Sequence, residues 1–255
     1  MCTVTLIPVA RDADSDAWTH LRLACNRDEL RIRPAAMPPE IRRRGSRTAI
    51  MPIDPLSDGS WIAVNDAGLA ATLLNVNPPA PPGLMQSTLR NSRGILAPRL
   101  MACSTLDEAE RHTADIDPDA FPPFRLVVVD RNGLIDCRGD GSSLRRQRLA
   151  LSSHPLLFTS SGLGDHLVEQ PRRALFESMF THEADWPAAQ VAFHRHAWPD
   201  RRHVSVCMER DEARTVSHTI IDLERGRATL TYYGDAPDRA TSPVALSLSI
   251  REAAA

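Results

Sequence analysis

What most limits the fold of this chain is the order in which two hydrophobic periods follow one another. Short apolar runs of period two come in blocks: residues 2–9, 18–26, 59–64 and 69–74; then 124–129, 134–138, 148–151 and 156–159; then 204–208, 215–223 and 228–233. Between the blocks lie two pairs of helical segments, predicted over 92–102 and 106–115 and over 165–180 and 185–194. Paired helices do not supply one crossover per strand, which argues against a doubly wound parallel sheet. Two packed sheets with helices outside would bury this many apolar strands. No repeat or linker divides the 255 residues, so one domain spanning 1–255 is expected.

Local signals mark the joints. Asn65-Asp66-Ala67-Gly68 and Arg131-Asn132-Gly133 read as hairpin turns. Ser92 can cap the first helix, Ser104 with Asp107 resembles a capping box for the second, and Pro187 suits the first turn of the fourth. Residues 11–16 read as a charged turn and 78–82 as a proline-rich loop. Residues 31–47, with Pro38-Pro39 and Arg42-Arg43-Arg44, read as a solvated surface loop rather than a nucleic-acid patch.

Composition removes several function classes. A net charge of −2 and a pI near 6.5 give no electrostatic footprint for nucleic acid or an acidic membrane surface. All 30 basic residues are arginine, which excludes a P-loop lysine, a Schiff-base lysine and a Ser-Lys dyad. The five cysteines are odd in number and scattered without a CxxC, so neither a disulfide framework nor a metal site is expected, and no cofactor. No apolar run approaches the roughly 20 residues of a membrane span, and the start lacks the pattern of a signal peptide. A reducing, cytoplasmic setting is the expectation.

Chemistry gathers at the polar ends of apolar strands. Cys2 stands directly behind the initiator methionine, and removal of Met1 would place a thiol and a free α-amine on one residue. Their reference pKa values, about 8.5 and roughly 7.7–8.0, let a small shift move the proton from thiol to amine. A nucleophile carrying its own base is one route to covalent catalysis; the alternative is an inert strand residue. The second strand runs into Asn26-Arg27-Asp28-Glu29, and the strand at 69–74 ends at Asn75.

Met1-Cys2-Thr3, Asn26-Arg27-Asp28-Glu29, Gly59-Ser60-Trp61-Ile62-Ala63-Val64-Asn65, Leu74-Asn75 and Ser92-Arg93-Gly94, in this order, resemble the NRDE family, also called the transport and Golgi organisation family. The resemblance implies an N-terminal-nucleophile hydrolase fold, α+β, a four-layer αββα sandwich. It also implies kinship with cysteine amidases such as choloylglycine hydrolases and penicillin acylases. Carried over by position, Cys2 is the nucleophile, Arg27 and Asp28 its orienting partners, and Asn75 the oxyanion donor. Asn26, Glu29 and Arg93 are the substrate-binding candidates; Arg93 can take a carboxylate bidentately. The related amidases space their Arg and Asp two residues apart. Here the pair is adjacent and would point to opposite faces of a continuing strand, so which of residues 26–29 faces Cys2 stays open.

Two functions therefore compete. One is a cysteine amidohydrolase acting on a small amide. The other is a non-catalytic carrier or trafficking protein holding a hydrophobic ligand, haem or an acyl lipid, in the inter-sheet cleft. His194, His196 and His203 have no cysteine or carboxylate cluster to complete a metal site and read as surface histidines. The loop 160–164 reads as a turn, and Trp61, Trp186 and Trp198 as packing residues.

Overall fold

Residues 2–12, 18–77, 90–239 and 242–251 are described by a computed structural model of the chain. Met1 and the proline-rich stretch 78–82 lie outside the described residues, as does most of the charged turn at 11–16. The first two strands are β1 (Cys2–Arg11) and β2 (Trp18–Leu30). They are followed by β3 (Met37–Arg44), β4 (Arg47–Ile53), β5 (Ile62–Asn65) and β6 (Ala70–Asn75). Two helices come next, α1 (Leu96–Leu100) and α2 (Leu106–Ala114). Then come β7 (Phe124–Val129), β8 (Gly133–Gly139), β9 (Leu144–Ala150) and β10 (Leu156–Thr159). The helices α3 (His166–Met179) and α4 (Trp186–Arg195) precede β11 (Ala213–Glu224), β12 (Arg227–Tyr233) and β13 (Val244–Ser249).

The strands form two antiparallel sheets, ordered β10-β1-β2-β11-β12-β13 and β3-β4-β5-β6-β7-β8-β9. Between the sheets lies one core, in which Val4, Leu6, Leu21 and Leu23 of the first sheet meet Ile62, Val64, Leu74 and Val127 of the second. A second core joins the outer face of the second sheet to α1 and α2 through Ala63, Leu73, Leu96 and Leu106. A third, with Leu157, Phe176 and Phe193, packs α3 and α4 on the outside of the first sheet. The architecture is therefore an α+β sandwich of four layers, αββα. The central strands β5, β6 and β7 bury both faces, and this explains runs such as Arg125-Leu126-Val127-Val128-Val129.

Some expectations need correction. Residues 37–44 are an edge strand and not a loop. Pro38, Pro39 and the arginine run suit an edge, where proline removes no required donor and charge blocks further pairing. The first predicted helix is only five residues, preceded by a single 3-10 turn at Arg93–Ile95 that Ser92 caps. The capping box falls one residue later than expected, with Thr105 accepting from the Glu108 amide while Glu108 accepts from the Ser104 amide. Residues 204–208 form no strand, whereas 244–249 do.

Candidate active site

The register of β1 against β2 sets the site. Cys2 lies opposite Arg27 and Thr3 opposite Asn26. Directly opposed residues share a face of an antiparallel pair, and neighbours alternate. Cys2, Arg27 and Glu29 thus open between the sheets, while Asn26 and Asp28 face the helix layer. Opposite this stretch β11 carries a bulge, with Thr215 facing Asp28 and Ser217 facing Arg27. The inter-sheet side forms a cleft of about 380 Å³ lined by Cys2, Arg27, Glu29, Asn75 and Arg93, with Trp61 beside them.

Cys2 forms the floor. Its backbone N–H donates to Ser160 Oγ at 2.9 Å, and its carbonyl accepts from the Ser160 amide at 2.9 Å, just past β10. A hydrogen bond from the Cys25 thiol holds the Cys2 thiol below its ordinary pKa against burial, which pushes it up; Arg27 adds to the lowering and Asp28 opposes it. The remaining thiols go the other way. Burial raises Cys25 well above its usual value, Cys103 to about 11, and Cys137 and Cys207 to about 12. Cys2 alone of the five is shifted toward the thiolate.

The wall beside it is a charge-balanced cluster. Arg27 Nη2 donates to Asp54 at 2.7 Å and to Glu29 at 3.3 Å, and its guanidinium lies 4.2 Å from the centre of the Trp61 ring. Arg33 reaches Asp54 through Nε at 3.1 Å and Nη2 at 2.9 Å, and lies 3.5 Å from Glu29. Two guanidiniums and two carboxylates neutralise one another there. Asp54 is set by a bridge to Gly59 and by accepting from the Leu56 amide.

Asn75 ends β6 at the cleft, half-buried, and its side chain has no hydrogen-bond partner among the described residues. Arg93 approaches from the 3-10 turn. Its Nη1 donates to the Pro123 carbonyl at 2.7 Å, and it makes no ion pair among the described residues. Burial lowers the pKa of its guanidinium, opposed by Glu29.

Asn26 and Asp28 are placed elsewhere. Asn26 is fully buried; Nδ2 donates to the carbonyls of His194 and Val206, and Oδ1 accepts from His218. With its hydrogen-bonding capacity spent inside the protein, it ties the sheet to the helix layer and does not line the cleft. Asp28 accepts from Thr215 Oγ1 at 2.7 Å, and burial raises its pKa, opposed first by Arg172. His194 is no surface residue: it is fully buried with Nε2 2.8 Å from Thr5 Oγ1. None of His194, His196 and His203 lines the cleft.

Sequence reading missed Arg33 and Asp54, which carry no local signal, and took the loop that holds Ser160 for a plain turn. It also missed Arg172, which did carry one. Arg172 falls four residues from both Val168 and Phe176, on the buried stripe of α3, and donates to Thr3 Oγ1 at 2.7 Å and to the carbonyls of Val204 and Ser205.

The family profile described as transport and Golgi organisation 2 matches residues 1–224. The chain belongs to this family. No curated protein matches it in sequence. In three dimensions this transport and Golgi organisation 2 chain resembles penicillin V acylase from Agrobacterium tumefaciens, with a TM-score of 0.55, 13% identity, and 98% of this chain and 86% of that one covered. It also resembles a Caenorhabditis elegans orthologue of N-acylethanolamine-hydrolyzing acid amidase, with a TM-score of 0.55, 10% identity, and 87% and 92% covered. At such identities the likeness is one of fold, that of the N-terminal-nucleophile hydrolases. Among the described residues no helix is long and apolar enough to cross a membrane.

Proposed function

We propose that this chain is a cysteine amidohydrolase acting on a small amide, working as one domain in a reducing, cytoplasmic setting. The observation that carries the reading is the meeting of the Cys2 thiol, the one cysteine shifted toward its thiolate, with the unpartnered amide of Asn75 in a single cleft. The two resembling structures bear the names of amide-cleaving enzymes, which supports the same class of reaction.

The sequence of events begins with loss of Met1, which frees the amine of Cys2. Ser160 Oγ, already the acceptor for that nitrogen, holds the amine, and Asp28 supplies a negative charge from the face behind. The amine takes the thiol proton, and the sulfur attacks the amide carbonyl carbon. Asn75 Nδ2 donates to the oxyanion as the C–S bond forms. Collapse breaks the C–N bond, and the ammonium returns its proton to the departing amine. Water, deprotonated by the same α-amine, then opens the thioester and releases the acid. Arg27 steadies the cleft wall and favours the thiolate by its charge.

The test uses the purified chain with loss of Met1 verified by intact mass. It is incubated with penicillin V and with an N-acylethanolamine, following amine release and the mass of the Cys2 peptide. The expected result is an acyl adduct or turnover that Cys2→Ala abolishes while the far-ultraviolet spectrum is unchanged. If a chain lacking Met1 neither turns over nor acylates at Cys2 across a broad amide panel, the reading fails.

A further inference from the structure

The charges around the cleft are unevenly matched. Arg27, Arg33, Arg90 and Arg93 line it with only Glu29 and Asp54 as carboxylates. Those two are consumed by Arg27 and Arg33. Arg90 donates to the Phe121 and Gly141 carbonyls, and Arg93 to the Pro123 carbonyl, so both keep their positive charge without an acidic partner among the described residues. A guanidinium bound to a carbonyl through Nη1 retains its other edge. Nε and Nη2 of Arg93 have no partner among the described residues, and that side-on pair matches the two oxygens of a carboxylate.

The position of Arg93 is built, not incidental. Gly59 and Gly94 are so close that a Cβ on Gly59 would come 2.5 Å from the Gly94 carbonyl oxygen, and the Ser60 amide donates to that same oxygen at 2.8 Å. This backbone seam fixes the turn that carries Arg93 against the residue preceding Trp61. The guanidinium is partly buried, so its charge is poorly screened and an anion there is held more firmly than at an open surface.

We propose that the cleft selects amides bearing a carboxylate, with the carboxylate paired to the Nε–Nη2 edge of Arg93 and the amide carbonyl at Cys2. N-acyl amino acids and similar acidic amides are the substrate class. Arg90, at the rim, adds electrostatic attraction without a fixed contact. The inference rests on the amidohydrolase reading only for the word substrate; the anion site itself needs no turnover.

The test is a matched pair of thiol reagents, N-iodoacetylglycine and its neutral amide, which share one reactive carbon and differ only in the distant carboxylate. Rates of Cys2 labelling, mapped by peptide mass, are divided by the rates at 2-mercaptoethanol. The expected result is a preference for the anionic reagent of about tenfold or more, shrinking as salt is raised. Arg93→Gln should reduce it to within about twofold, and Arg93→Lys should keep part of it. Equal normalised rates in the unmodified chain, a preference unaltered in Arg93→Gln, or no labelling of Cys2 by either reagent would each overturn the proposal. Preference without hydrolysis of any amide would leave the anion site standing and remove the enzyme; hydrolysis without preference would do the reverse.

Discussion

Cys2 and Arg27 are direct partners across the β1–β2 ladder, and both side chains open into the same cleft. Arg27 is in turn held between Asp54 and the Trp61 ring, so the wall facing the thiol is as fixed as the strand beneath it.

Removing the thiol donor beside Cys2 should make Cys2 less reactive. The Cys25 thiol is the largest cause of the lowered Cys2 pKa, so Cys25→Ala should move that pKa upward and slow alkylation at pH 7. Cys25→Ser, which keeps a donor, should lie between. The pH profile of iodoacetamide labelling at Cys2 checks this; an unmoved profile in Cys25→Ala refutes it.

Asp54→Ala should be among the most damaging changes to stability that leave the apolar core intact. It leaves Arg27, almost wholly buried, with Glu29 alone, and removes the better half of the Arg33 pairing. Breaking a buried ion pair from one side costs about 3 kcal/mol. For a chain of this size that is a melting point lower by roughly 10 °C in calorimetry.

Gly59→Ala and Gly94→Ala should differ although the two residues touch. A Cβ on Gly59 meets the Gly94 backbone at 2.5–3.0 Å, whereas one on Gly94 meets mainly the Ser57 and Ser92 hydroxyls at 3.1 and 3.4 Å. Gly59→Ala should destabilise by about 1–3 kcal/mol and displace the Arg93 turn. Gly94→Ala should be nearly silent. Urea unfolding of the two variants compares them, and equal midpoints would contradict the geometry.

Stability should fall on mild acidification. Burial depresses the His218 pKa to about 4, and it depresses that of the neighbouring His194 as well. The unfolded chain takes up the His218 proton near pH 6.5 and the folded chain only near 4, so stability is complete above 6.5 and is lost as pH falls toward 4. The loss assigned to His218 is about 3 kcal/mol. His218→Gln loses the bond to Asn26 Oδ1 and is weaker at pH 7.5, yet its unfolding midpoint should depend less on pH over this window.

Much of the scaffold could be read directly from the chain because its cause is local. The hairpins around Asn65–Gly68 and Arg131–Gly133, the boundaries of β10, and the two helix pairs rest on turn chemistry and on period. The edge strand β3 was hidden because an edge tolerates proline and charge that would exclude a central strand. The site was less legible. Alternation along β2 says that Arg27 and Asp28 diverge, but only the pairing of Cys2 with Arg27 says which of them shares the thiol's face. Asp54 and Ser160 are single polar residues whose partners lie 27 and 158 positions away, and no local pattern encodes such distances.

The strand that carries Cys2 lies between β2, made moments later, and β10, made near the middle of the chain. Ser160, which receives the Cys2 N–H, is 158 residues downstream. At ribosomal rates of about 5–20 residues per second, roughly eight to thirty seconds separate their synthesis. Throughout that interval β1 has only β2 beside it; once β10 docks, the Cys2 N–H is tied to Ser160 and the strand is paired on both sides. Under the proposed activation by loss of Met1, trimming would compete with the docking of β10, and variants that fold faster would be the poorer substrates for the trimming enzyme.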